Sequence, residues 1–300
     1  MKEYKNYNMG FRVVVIKNRA KLEVRLNSLI IRGEQEKKVF IDEINTLIVQ
    51  STAVSLTVSL LCELVKRNIK VIFCDEKHNP QSELLPYYGV HNASKKCKEQ
   101  FLWKPEAKGK VWREIITHKI QGQSDLLKEK GFVSQAELLC SYINEIQDND
   151  VTNREGHAAK VYFNCILNGD SRKDGGFLNG CLNYGYAVLL SAFNREIVAS
   201  GYLTQIGIWH DNEFNQFNFG CDLMEPFRVV VDRTALGIEN GDKEFKKKMA
   251  NVLNFKTLID DKNTTLDLAI RQYARSVFNA LDKNDEKLIV FPQKIVKDEL

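Results

Sequence analysis

Three residue types that chemistry uses are set far apart in this chain: Glu155 in "TNREGHAAKVYF", His210 in "IGIWHDNEF", and Glu225 in "GCDLMEPFR", with Asp222 three residues ahead of it. One imidazole and two or three carboxylates drawn from different segments form a ligand set for a hard divalent ion such as Mg²⁺ or Mn²⁺. Zinc would be expected to recruit thiols, and no cysteine has suitable spacing. Each residue also has a plain structural explanation. Thr152-x-x-Glu155 reads as a capping box, Asp222-x-x-Glu225-Pro226 as an acidic helix start, and a lone His after "YLTQIGIW" as a bonded core residue. Spacing alone does not bring the three together.

The elements that would have to position them fall into two textures. The first 75 residues hold short β-branched runs ("FRVVVIK", "KLEVRLN", "SLIIRG", "KKVFIDE", "NTLIVQ", "KVIFCD"), several alternating with the period of a strand. Turns are expected at Asn27-Ser28 and Gly33-Glu34, and one amphipathic helix over Val54–Asn68. "EKHNPQSELLPYYG" carries two of the five prolines and reads as a linker. From His91 the apolar spacing is helical, with helices expected near 91–121, 134–148, 153–168, 178–200, 223–235, 242–260 and 264–282. The expected architecture is therefore α+β: a small β-rich domain with one helix over residues 1–78, a linker over 79–90, and a larger all-helical domain over 91–300. In the 153–168 helix, Glu155, Ala159, Tyr162 and Ile166 share one face, which makes Glu155 a carboxylate on an otherwise apolar stripe.

Composition fits a folded chain of this size, with 44% apolar and 27% charged residues in 300. The net charge of +4, from 43 basic and 39 acidic residues, is too small to mark a nucleic-acid binder without local clustering. Such a cluster exists: Lys95, Lys96, Lys98, Lys104, Lys108, Lys110, Arg113 and Lys119 stand against three glutamates, with Phe101, Trp103 and Trp112 interleaved. Basic residues among aromatics can track a phosphate backbone and stack bases; they can equally be a solvated helix face with core-facing tryptophans. Lys246-Lys247-Lys248 is a weaker cluster. Seven cysteines, an odd number without a C-x-x-C pair, argue against a disulfide framework. No signal-peptide or membrane-spanning run is present, so the C-terminal Lys-Asp-Glu-Leu is read as coincidence and a cytoplasmic chain without a membrane partner is expected.

In combination, "EGHAAKVYF", "NGCLNYGYAVLLSAFNREIVASGYLTQIGIWH" and "FNFGCDLMEPFRVVVDR" resemble the CRISPR-associated adaptation integrases, the Cas-one family. The order and spacing agree from Arg154 to Arg233, and the β-then-helical division agrees over nearly the whole chain. The resemblance implies metal ligands at Glu155, His210 and Glu225, the last in a place where the family often has Asp. It further implies an assisting acid at Asp222, a helix beside the site bearing Asn183, Tyr184 and Tyr186, and an Arg228 that pairs with Glu225 or reaches a phosphate. The glycine-rich "NGDSRKDGGFLNG" is like a P-loop only superficially and is expected to connect two helices. The implied function is metal-dependent joining of short foreign DNA fragments to a repeat array. The implied partners are double-stranded DNA, a second copy of the chain and a small adaptation protein of the Cas-two type. The Asp-Leu-Met-Glu-Pro-Phe-Arg wording is most like the subgroup beside Cas-nine effectors, which adds such an effector and a further accessory adaptation protein. The rivals are a non-catalytic DNA-binding scaffold with carboxylates as helix caps, and a metal phosphoesterase for small molecules.

Overall fold

The β-branched runs of the N-terminal part build two four-stranded sheets. The computed structural model describes residues 12–86, 90–167 and 175–296, and the chain divides between Tyr87 and Tyr88 into two units. In the first, β1 (Arg12–Ile16), β5 (Ile44–Val49) and β7 (Lys70–Cys74) run parallel, with β8 (Pro80–Leu84) antiparallel at the edge. The second sheet has the order β4 (Glu36–Phe40), β3 (Ser28–Arg32), β2 (Ala20–Arg25), β6 (Val54–Leu56). Every residue of β5 is buried, as expected of a central parallel strand covered on both faces. Ile16, Leu22, Leu29, Ile41, Leu47, Leu60, Leu64 and Val71 form the core of this unit.

Three expectations shift here. The β2–β3 hairpin turns at Leu26-Asn27, both at positive φ, one residue earlier than read from the sequence. Val54–Leu56, expected to open a helix, instead pairs with Ala20–Leu22 as β6. Helix α1 (Val58–Lys66) starts only after Thr57, whose hydroxyl accepts from Leu60 N–H at 3.3 Å. The β-branched Val54 suits a pleated edge, and threonine at the N-cap supplies the start signal. Pro80–Leu84, expected as linker, is hydrogen-bonded into the first sheet as β8; proline is tolerated on such an edge strand.

The second unit is mostly helical: α2 (Ala93–Phe101), α3 (Pro105–Glu129), α4 (Val133–Ile143), α5 (Arg154–Ile166), α6 (Phe177–Ala199), α7 (Asn218–Met224), α8 (Arg228–Ala235), α9 (Phe245–Ala250) and α10 (Leu266–Lys283). Pro105 occupies the first turn of α3, so the single helix expected over 91–121 is broken in two at Leu102–Lys104. Helix α6 is apolar nearly all round, with Leu182, Val188, Leu189, Phe193 and Ile197 buried; a helix of that kind belongs in the middle of a unit.

The expected α+β division holds, but the larger unit is not all-helical. The helix expected over 242–260 is present only as α9; its last part is instead strand β9 (Lys256–Ile259), which forms a hairpin with β10 (Lys262–Thr265), and β11 (Lys294–Val296) pairs with β9. Asp260 and Asp261, both at positive φ, make its two-residue turn, a conformation that aspartate tolerates better than most residues. Most of "NGDSRKDGGFLNG" and the C-terminal Lys-Asp-Glu-Leu lie outside the described residues. Among the described residues, no helix is long and apolar enough to cross a membrane.

Replacing Thr57 by Ala is expected to lower stability by about 1 kcal/mol, because the Leu60 N–H loses its side-chain acceptor. Urea unfolding of the two chains side by side measures it.

Candidate active site

Glu155 owes its position to a cap that the sequence pattern did not reveal. The carboxylate of Asp150 accepts from Arg154 N–H at 2.8 Å and Glu155 N–H at 2.9 Å, closing the start of α5. Thr152, expected as the capping hydroxyl, instead donates to the carbonyl of Glu145. Asn153 takes a left-handed conformation between them. Glu155 therefore sits in the first helical turn, where the helix dipole favours negative charge.

Glu225 is placed by the short 3₁₀ turn Glu225–Phe227 that joins α7 to α8, and it is almost fully buried. One oxygen accepts from Arg228 Nε at 2.9 Å. Arg228 in turn lies over the ring of Tyr186, 4.8 Å from its centroid. Burial raises the Glu225 carboxyl, but Lys119, Arg228 and His210 outweigh it and hold the group at about 2, below the ordinary 4.5.

Glu155 and Glu225 meet at Lys119 of α3. Its Nζ bonds Glu155 Oε1 and lies 2.6 Å from Glu225 Oε2. The second approach is a charge contact and not an aligned hydrogen bond, which leaves that buried Oε2 without an in-line donor. Lys119 itself is only 8% exposed. Burial opposes its charge, yet Glu225 and Glu155 more than offset this, and its pKa stays above the ordinary 10.5. The three charges line a cleft of about 230 Å³ together with Phe163, Tyr186 and Arg228.

His210 stands beside this group without joining the contact. Its Nδ1 pairs with Asp222 Oδ1 at 2.6 Å, and its ring meets Trp112 edge-on. The Asp222 hydrogen bond, opposed by burial, raises the imidazole pKa above the ordinary 6.5, and the charge of Glu225 adds to the rise. Asp222, expected as a helix N-cap, lies fully buried inside α7. It gathers three backbone N–H groups of the preceding loop, from Ile208 at 2.5 Å, Trp209 at 3.1 Å and His210 at 3.0 Å. Gly207 lets the loop approach this closely: a Cβ there would fall 2.5 Å from Asp222 Oδ2 and 2.5 Å from the His210 carbonyl.

Among the described residues, no three His, Cys, Asp or Glu side chains stand close enough to hold a metal ion. The Lys119 ammonium occupies the cation position between the two carboxylates. The donors nonetheless fit a hard cation: two carboxylates already share one positive charge, one of their buried oxygens lacks an aligned donor, and Asp222 holds the nearby imidazole by its Nδ1, so that Nε2 would be the ring nitrogen left to ligate.

The other expected residues divide. Tyr184 packs its ring against Phe245 in the core, while Tyr186, two residues on, lines the cleft and donates to buried Asp232, as does Tyr162 at 2.7 Å. In the basic stretch, Lys96 pairs with Asp282 at 2.7 Å and Arg113 with Asp148 at 2.6 Å, so both are tied into the unit. Lys95, Lys98, Lys104 and Lys110 are exposed and Lys108 partly so. Trp103 and Trp112 face the core, leaving Phe101 as the exposed aromatic of the three. Lys119, counted with the surface lysines, is the residue most misread. It lies one turn beyond Ile115 and Ile116 and next to Ile120 on the buried face of α3, and that helical spacing is the signal that could have revealed it.

A two-part α+β chain with paired carboxylates around one cation is the class defined by this geometry. The family model for CRISPR associated protein Cas1 matches residues 13–266, and the chain belongs to that family. It is 30% identical over 291 residues to a CRISPR-associated endonuclease Cas1 of Neisseria meningitidis serogroup C, covering 93% of this chain and 95% of the relative. Its fold is similar to that of a casposase bound to integration product, with TM-score 0.74 and 19% identity over 93% of this chain and 92% of that one. It is also similar to a chain of a Cas6-RT-Cas1–Cas2 complex, with TM-score 0.72 and 17% identity over 97% of this chain and 36% of that one.

Two outcomes are expected. Gly207→Ala pushes the loop off Asp222, so the His210 imidazole should titrate closer to its ordinary value, read by NMR, with stability lower by about 1–3 kcal/mol. For Glu225, a lowered folded pKa means stability present above the ordinary 4.5 and lost as pH falls toward about 2. In metal-free urea titrations, Glu225→Gln should flatten that acid limb; an unchanged slope would show that the lowered pKa is absent.

Proposed function

We propose that this chain is a metal-dependent DNA integrase and endonuclease of CRISPR adaptation, joining the 3′-hydroxyl ends of short foreign DNA fragments to the repeat array by transesterification. The observation that carries this reading is the meeting of Glu155 from α5 and Glu225 from the α7–α8 turn on one cation in a cleft. Glu155, Glu225 and Nε2 of His210 would hold Mg²⁺ or Mn²⁺. Held there, such an ion would supply Lewis-acid chemistry, a lower pKa for the attacking hydroxyl and compensation of charge on the phosphate.

The residues of the chain do the rest. Asp222 accepts the Nδ1 proton and so sets the tautomer and angle of His210. Arg228, held by Glu225 and seated on Tyr186, has guanidinium N–H groups left for a phosphate oxygen. Lys95, Lys98, Lys104, Lys108 and Lys110 track the duplex backbone; Lys96 and Arg113 are spent inside the unit. With water in place of the attacking hydroxyl, the same site hydrolyses the phosphodiester.

The solved complex that pairs a similar chain with Cas2 supports a Cas2-type partner here. A homodimer of this chain, a Cas-nine effector and a further accessory adaptation protein rest on the motif resemblance, and a cytoplasmic setting completes the proposal.

The test is a strand-transfer assay with a short duplex and a repeat-bearing target, with and without Mn²⁺. Glu155→Gln and His210→Ala should each lower transfer by about two orders of magnitude or more, while salt-sensitive duplex binding persists. Undiminished transfer would show that Glu155 and His210 do not carry the chemistry; duplex binding without transfer by the unaltered chain would leave a non-catalytic scaffold as the function.

A further inference from the structure

Lys119 has no place in the mechanism above, yet it is the residue on which the site closes. Its stem runs along the buried face of α3, beside Ile115, Ile116 and Ile120, and its ammonium reaches one carboxylate from α5 and another from the α7–α8 turn. Two carboxylates this close, one of them nearly sealed from water, repel each other strongly unless a positive charge stands between them. Arg228 alone does not suffice, because it reaches only Glu225. Glu155, Glu225 and Asp232 bring three negative charges to the cleft against two positive ones from Lys119 and Arg228, so a divalent ion added beside Lys119 would turn it net positive and would face the ammonium's repulsion at the same two carboxylates.

We propose that the Lys119 ammonium is a built-in counter-cation, which holds Glu155 and Glu225 together before metal enters and which the entering ion must displace. The inference rests on those two carboxylates being ligands of the metal. The chemistry of the side chain suits the exchange. Lysine is a point charge on a flexible four-carbon stem and can swing aside, whereas the planar guanidinium of Arg228 is fixed by Glu225 and Tyr186. The cleft beside Nζ provides the space. Lys119 thus sets the metal affinity of the site and keeps the free protein from being pulled apart by its own ligands.

Calorimetric Mn²⁺ titration and thermal unfolding of metal-stripped protein, with no DNA present, test this on wild type and Lys119→Met. The variant should unfold several degrees lower without metal, regain that loss when MnCl₂ is added, and bind Mn²⁺ roughly tenfold tighter or more, since a competing buried cation is gone. Equal or weaker Mn²⁺ binding by the variant, beside clear binding by wild type, overturns the counter-cation and leaves the metal site standing. Absence of Mn²⁺ binding in both chains overturns the two together. If Lys119→Met cannot be recovered folded, Lys119→Met/Glu225→Gln decides. Recovery of the double variant supports charge balance as the role, and its failure as well shows that Lys119 acts through packing.

Discussion

Repulsion between two carboxylates, relieved by one ammonium, is the constraint around which the helical unit is arranged. Two like charges that share one ammonium stand roughly 4–5 Å apart, where their repulsion is about 3–4 kcal/mol in a surface-like dielectric and more when buried. A chain that places Glu155 and Glu225 in one cleft must therefore compensate them or spread its helices. Lys119 supplies the compensation, and it ties α3, α5 and the α7–α8 turn to one point. Each of those segments is positioned by its own local chemistry: a proline start for α3, the Asp150 cap for α5, and the proline-bearing turn after Glu225.

The same economy of polar groups governs the loop that carries His210. A carboxylate as deeply buried as Asp222 must find donors, and it finds three backbone N–H groups and an imidazole. That bonding does for a loop what an N-cap does for a helix. It also explains why a capping pattern could be read at Asp222 and still misplace the residue: the hydrogen-bonding capacity was read correctly, but the recipients come from residues a dozen positions earlier. Asp150 and Thr152 repeat the lesson, since both lie within reach of the α5 start and only the backbone path through left-handed Asn153 selects the aspartate.

In the basic stretch, residue type and residue role part company. Lys96, Trp103 and Tyr202 all converge on Asp282, which anchors α2 and the start of α3 against α10. Burial works against the Asp282 carboxylate, and these donors outweigh it, keeping the group charged below its ordinary pKa. Lysines that read alike in one dimension thus include a buried counter-ion at 119, a structural strut at 96 and exposed cations at 98, 104 and 110.

Period and punctuation in the chain were enough for the α+β division, the strands of the first unit and the long helices of the second, while Glu155, His210 and Glu225 stood out by residue type and by the motif resemblance. Those properties depend on neighbours within a turn or two, where spacing maps directly onto a face. The β9–β10 hairpin was misread because its strands are only four residues each and helical spacing persists by chance over such lengths. Lys119 between the carboxylates, Tyr186 in place of Tyr184, and Asp222 gathering the His210 loop emerged only from the folded chain. Each depends on which distant segment arrives opposite, and a one-residue rotation of a helix changes that answer without altering the pattern of types along it.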